Sequence, residues 1–166
     1  MEKENPHDQK YADNEFYWGI EPSAICDRVI ELIKPSADFR PKLIDLGSGE
    51  GRNAIYFAKS GFDVTGLDTS SIGLQKMERW AKEVGVQINA IQASIADYEI
   101  KGTCDVVFST GTLQYLPPEI RNRHFQNYKD CTSPNGINTF SVFVKNHLLH
   151  KLQMLKILLT NTGQVN

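Results

Sequence analysis

Glycines at positions 47, 49 and 51 stand between a short apolar run, Lys42-Leu43-Ile44-Asp45-Leu46, and a helical pattern carrying Ala54, Ile55, Phe57 and Ala58. A buried strand that breaks into alternate glycines and resumes as a helix leaves few architectures open. Lacking a Cβ, each glycine lets the backbone turn tightly and approach a ligand closely. The segment Asp45-Leu46-Gly47-Ser48-Gly49-Glu50-Gly51 therefore reads as the first turn of a β-α-β unit, with a ligand expected at the helix start.

The rest of the chain keeps that rhythm. Ahead of the loop, Pro22 opens a pattern with Ile25, Val29, Leu32 and Ile33 on one face. After it, Gly61 stops the short helix and 62–68 reads as a second strand. Thr69 or Ser70 caps a longer helix that buries Leu74, Met77 and Ala81. Val86 to Ala90 is a third strand, and Asp105 to Ser109 a fourth, continuously apolar and hence central. Pro117-Pro118 starts a helix to about Cys131, Pro134-Asn135-Gly136 turns, and Ile137 to Lys145 is a fifth strand with Phe140, Val142 and Val144 on one face. Strands alternating with helices predict an α/β fold, a Rossmann-like doubly wound and mostly parallel sheet of strand order 3-2-1-4-5. The expected units are an N-terminal arm or lid at 1–20, a cofactor-binding domain at 21–145 and an atypical tail at 146–166.

The glycine spacing narrows the ligand. Dinucleotide enzymes space their glycines G-x-G-x-x-G around a pyrophosphate. Here the spacing is G-x-G-x-G, with Asp45 two residues ahead of the first glycine. Asp68 ends the second strand, 21 residues after Gly47, where a carboxylate can accept hydrogen bonds from two ribose hydroxyls. A plain glycine turn with Asp68 as a helix cap is the bland alternative. The combination resembles the first motif of class I S-adenosylmethionine-dependent methyltransferases. The stretches Asp45 to Asn53 and Gly61 to Asp68 resemble tellurite-resistance-type methyltransferases, above all in the Gly51-Arg52-Asn53 extension, and the similarity runs from about Tyr11 to Val144.

That resemblance implies S-adenosyl-L-methionine as cofactor, with Asp45 and Gly47 at its amino group and Gly49 at its carboxylate side. Ser48 belongs to the same loop, Asp68 would meet the ribose, and Thr69 beside it is a further cofactor-binding candidate. Ser94 and Ile95 would flank the adenine, whose amine can be met by Ser94 or by Asp97, three residues on. Ser109 and Thr110 would line the crevice beneath the sulfonium.

Methyl transfer to a soft nucleophile depends on alignment more than on acid–base chemistry, so no catalytic residue is singled out. Aromatic rings suit the wall of such a site, because they exclude water and their faces attract cations. Tyr11, Tyr17 and Trp18 of the arm are candidates, as is Tyr115 after the fourth strand. Arg52 is placed to neutralise an oxyanion or the cofactor carboxylate, or else is an ordinary exposed arginine at a helix start. The acceptor is expected to be a small molecule: a tellurite-like oxyanion, a thiol or another small metabolite. The competing reading is a cofactor-binding module without efficient turnover.

A net charge of −2 without a basic stripe argues against a nucleic-acid partner. No apolar run suits a membrane span, and the polar N-terminus does not read as a signal peptide, so a cytoplasmic protein is expected. Cys26, Cys104 and Cys131 fall in no C-x-x-C pair, and His7, His124, His147 and His150 show no ligand spacing, so no metal site is expected. The tail departs from the pattern: residues 147–159 are apolar and basic with no acid. It reads as an amphipathic helix, a membrane-surface helix, a partner-binding stripe or a frameshift product standing in for the last one or two strands. In that last case strand five keeps an unpaired edge, which invites homodimerisation.

Overall fold

A computed structural model describes residues 6–146 and 151–160. The His147/His150 pair and the last six positions lie outside the described residues.

The arm contributes a short helix, α1 (Pro6–Tyr11), and α2 (Ile25–Ile33) follows. The body then alternates: β1 (Lys42–Leu46), α3 (Arg52–Lys59), β2 (Asp63–Asp68), α4 (Ser71–Glu83), β3 (Ile88–Gln92), β4 (Cys104–Thr110), α5 (Pro118–Cys131) and β5 (Thr132–Asn146). β1 to β5 are parallel in the order β3-β2-β1-β4-β5, as the alternating pattern predicts.

Side-chain alternation along the central strands makes two cores. Leu43, Val106 and Phe108 point to the face covered by α2, α3 and α4, where Val29, Phe57 and Met77 meet them. Ile44, Leu46 and Val107 point to the other face, against Leu116 and Tyr128. Strands buried on both faces need apolar residues at every position, which is why β1 and β4 read as runs rather than alternations.

Two expectations change. Pro134-Asn135-Gly136 is no free turn but an irregularity within β5, where the β4 register slips between Cys104 and Val106. Asn135 takes a left-handed φ of 68°. A Cβ on Gly136 would lie 2.7 Å from the Asp105 carbonyl, so only glycine lets β5 return to its neighbour there.

The second correction concerns the tail. Residues 151–160 form neither a helix nor a separate unit but β6 (Lys151–Thr160), antiparallel to β5 from Asn146↔Lys151 to Ile137↔Thr160. The outer edge of β5, expected to be open and available for a homodimer, is filled by its own chain. The physical reason is backbone demand: an edge of unpaired N–H and C=O groups is satisfied best by the next extended segment, whatever its helical spacing. The sheet has six strands among the described residues. No helix among the described residues is long and apolar enough to cross a membrane.

Candidate cofactor and acceptor cleft

The C-terminal ends of β1, β2 and β4 open on one cleft of about 270 Å³, close to the size of a small-molecule site. Tyr11, Trp18, Gly47, Ser48, Gly49, Arg52, Asp68, Thr69, Ser94, Ile95, Thr110 and Tyr115 all line it. Asp45, Tyr17 and Ser109 do not.

The glycine loop is folded back on β2. The amides of Gly47 and Ser48 both donate to the Leu67 carbonyl, at 2.7 and 2.9 Å, and the Gly51 amide donates to the Ser48 carbonyl. The Gly49 amide donates to Asp68 Oδ2 at 2.9 Å. Four loop amides are thus spent within the protein and are not available to cradle a pyrophosphate. Gly47 has a φ of 82°, and a Cβ there would overlap the Thr112 side chain. Gly47→Ala is expected to lower stability by at least about 1–2 kcal/mol, from left-handed strain plus that clash, read as a shift in urea midpoint. An unchanged midpoint would mean the two loops separate freely.

What the site offers instead is unspent acceptors. Asp45 is 1% exposed and neither of its carboxyl oxygens has a partner; the buried Ser48 hydroxyl also has none. Burial, reinforced by nearby Asp68 and partly offset by Arg52, raises the Asp45 carboxyl from the ordinary carboxylate range to about 7. Asp68 receives the Gly49 and Ser70 amides, one on each oxygen, and keeps a lone pair on each for a hydroxyl-bearing ligand. Ser109 sits behind the cleft rather than along it. Its hydroxyl donates to the Leu46 carbonyl at 2.7 Å, so the alternation of β4 turns Thr110, not Ser109, to the crevice. Of the two adenine candidates, Ser94 lines the cleft and Asp97 does not.

The arm lies across this opening. Tyr11 is buried, with its hydroxyl accepting from Trp18 Nε1 at 3.3 Å; burial pushes its pKa up to about 12, so it stays a neutral phenol. Tyr17 is exposed and contributes its backbone, whose amide donates to Glu50 Oε2 at 2.8 Å. Arg52 donates to the Trp18 carbonyl at 3.0 Å and reaches Ser23 Oγ at 3.5 Å.

Sequence reasoning overlooked the residues that hold the arm. Lys76 Nζ and Glu50 Oε1 form a buried ion pair at 2.7 Å, and the same ammonium donates to the Glu15 carbonyl at 2.8 Å. The Ser70 hydroxyl donates to Asp8. Asn53 donates to Thr110 Oγ1 at 3.0 Å and accepts the Ser23 amide at 2.8 Å, tying the loop to β4 and to the start of α2. His7 and Lys10 also reach the cleft; their spacing with Tyr11, one helical face, was the available signal.

Residues 43–136, more than half of the 166-residue chain, match the model of the methyltransferase domain. This chain belongs to that family. Curated relatives of this methyltransferase domain include a carboxy-S-adenosyl-L-methionine synthase of Nautilia profundicola, 26% identical over 75% of this chain and 55% of that protein. A ubiquinone biosynthesis O-methyltransferase of Vibrio parahaemolyticus is 38% identical over 52% of this chain and 37% of that protein. The crystal structure of TehB from Haemophilus influenzae shares the fold with a TM-score of 0.68 at 23% identity, covering 82% of this chain and 44% of that one. The methyltransferase domain thus spans about half or less of the length of these relatives. S-adenosylmethionine is the cofactor that the family calls for. The site fits it: the unpartnered Ser48 hydroxyl on the cleft wall, with the buried, unpartnered Asp45 carboxyl in the same loop, suits a polar cationic ligand group, and Asp68 suits a ribose.

Among the described residues no group of three or more histidine, cysteine or acidic side chains is placed to hold a metal ion. Cys26, Cys104 and Cys131 are free thiols.

Proposed function

We propose that this chain binds S-adenosylmethionine in the cleft and directs its methyl group to a small-molecule acceptor admitted beneath the arm. The observation that carries this reading is the polarity of the glycine loop. The amides of Gly47, Ser48, Gly49 and Gly51 are consumed by Leu67, Ser48 and Asp68, while Asp45 and Ser48 keep unpaired oxygens. Such a site repels a pyrophosphate and attracts a ligand bearing ammonium and sulfonium charges.

In this reading Asp68 holds the two ribose hydroxyls, Ser94 and Ile95 border the adenine, and the loop from Gly47 to Gly49 passes the amino-acid end. Bound S-adenosylmethionine supplies an electrophilic methyl group. The chain's own work is to position and to exclude water. Tyr11 and Trp18 close the cleft over the loop, and Thr110, fixed by Asn53, forms its floor. The arm at 1–20 acts as the lid. The acceptor is one of the three kinds considered from the sequence: a soft oxyanion, a thiol or another small metabolite. The three free thiols fit a cytoplasmic site of action.

Calorimetry with S-adenosylhomocysteine and with NAD tests the cofactor. The first is expected to bind and the second not; NAD binding in place of S-adenosylhomocysteine would overturn the reading. Asp68→Ala is expected to weaken S-adenosylhomocysteine by about 1–3 kcal/mol, roughly 10- to 100-fold, through the lost ribose bonds. An unchanged affinity removes that role. Release of S-adenosylhomocysteine on incubation with methyl donor and acceptors separates an enzyme from a binding module.

A further inference from the structure

The Gly51-Arg52-Asn53 stretch that leads from the glycine loop into α3 divides in two. Arg52 turns to the arm, with its guanidinium on the Trp18 carbonyl and Ser23. Asn53 is buried and turns to the end of β4, and its amide is oriented by what surrounds it. The Ser23 backbone amide can only donate, and it donates to Asn53 Oδ1 at 2.8 Å. The Cys26 thiol is a second donor to the same oxygen, at 3.4 Å. Burial pushes that thiol well above its ordinary pKa, so it keeps its hydrogen. With the oxygen held in this way, Asn53 Nδ2 faces Thr110 Oγ1 at 3.0 Å and has only hydrogen to give.

That fixes the polarity of the next bond. A hydroxyl has one hydrogen and two lone pairs. Thr110 spends a lone pair on Asn53, and among the described residues its hydroxyl makes no other bond. The hydrogen is left for the cleft, which Thr110 lines. Two neighbours on that wall bring no such donor: the Thr112 hydroxyl donates to the Thr110 carbonyl at 3.4 Å, and Phe143 of β5 presents only a ring.

Charge decides which ligand group takes this hydrogen. The ammonium and sulfonium of S-adenosylmethionine are cationic and call for acceptors, and Asp68 suits the ribose hydroxyls. At the amino-acid end the carboxylate calls for a donor. The Gly49 amide, expected on that side, is spent on Asp68. Thr110 stands beside the same loop. It is bonded to the first turn of α3, and Thr112, two residues on, lies where a Cβ on Gly47 would be.

Resting on the cofactor reading above, we propose that Asn53 is a positioning residue that makes the Thr110 hydroxyl a hydrogen-bond donor to the carboxylate of S-adenosylmethionine. Ser23 and Cys26, at the entry to α2, orient Asn53, and Asn53 orients Thr110. A chain of three bonds thus sets the direction of a fourth, made to the ligand.

Calorimetry on the full chain tests this with two ligands: S-adenosylhomocysteine and its decarboxylated form, which keeps the adenosine, the thioether and the ammonium. Thr110→Val is expected to weaken S-adenosylhomocysteine by about tenfold and to leave the decarboxylated form within about twofold. Thr110→Ser, which keeps the hydroxyl, is expected to restore most of the affinity. Asn53→Ala is expected to weaken S-adenosylhomocysteine by roughly threefold to tenfold, and to add no further loss to Thr110→Val. Asn53→Leu, of similar bulk, is read in the same way if Asn53→Ala folds poorly. Three results would each overturn the proposal: S-adenosylhomocysteine unaffected by Thr110→Val, both ligands weakened alike, or a full Asn53 loss persisting beside Thr110→Val. The unaltered protein keeps the two readings apart. If it binds S-adenosylhomocysteine and the variants fail these expectations, only the Asn53–Thr110 proposal falls; if it does not bind, the cofactor reading falls with it.

Discussion

Lys76→Met is expected to lower stability by about 3–5 kcal/mol, because it takes from the buried Glu50 side chain its ion-pair partner. The two side chains are 7% and 3% exposed, their contact is 2.7 Å, and the glutamate's second oxygen accepts the Tyr17 amide. Every lone pair used there serves to hold the arm. Urea unfolding gives the loss, and limited proteolysis gives its location: cleavage is expected to appear first around Glu15 to Trp18. The double variant Glu50→Gln/Lys76→Met is expected to recover most of the loss, since no unpaired charge is then left buried and the neutral glutamine oxygen can still accept the Tyr17 amide. A single-variant loss under about 1 kcal/mol would show that water reaches Glu50 and that the pair behaves as a surface one.

The second large effect is one of opposite signs. The Asp45 carboxyl is raised to about 7 in the folded protein by burial and by Asp68. Between about pH 4 and pH 7 the folded state therefore holds a proton that the unfolded chain has released, and stability falls as pH rises through that window. The ligand-free protein is expected to be less stable at pH 8 than at pH 5, by an amount on the order of 4 kcal/mol from this group at most. Asp45→Asn is expected to remove that slope and to be the more stable protein at pH 8. The same variant is expected to bind S-adenosylhomocysteine more weakly, having lost a carboxylate for the ligand ammonium. Near pH 6, binding to the parent protein is expected to release a proton, seen as a calorimetric enthalpy that depends on the buffer, and binding to the variant is not. A pH slope retained in the variant would assign the titration elsewhere.

The parts of this molecule that were legible in the sequence are those fixed by neighbours in the chain. β1, its glycines and α3 follow from a handful of consecutive residues, and Asp68 follows from the end of the next strand. The opaque parts are decided at a distance. Residues 151–160 have an apolar pattern that suits a helix as well as a strand, and the open edge of β5 decides between them. Lys76 looks like one more charge on an amphipathic helix, and only its fold-given neighbour, 26 residues earlier, makes it an anchor. Ser109 and Thr110 differ in role by the alternation of a strand, and a one-residue change in reading exchanges them. Phe143 escapes notice in the sequence because the core-facing set of β5, Phe140 and Val142, draws attention to the opposite face.

The bonds that fasten the arm join residues 33 to 62 positions apart. The β5–β6 pairing, by contrast, joins adjacent strands of the chain. Contacts closing long loops form late and are lost early, so the arm is expected to dock last in folding and to detach while the sheet is intact. Amide hydrogen exchange makes this visible. The Tyr17 amide, whose acceptor is Glu50, is expected to exchange far faster than those of β1 and β4, and to slow when a ligand fills the cleft. That one proton would then time the opening through which cofactor and acceptor must both pass.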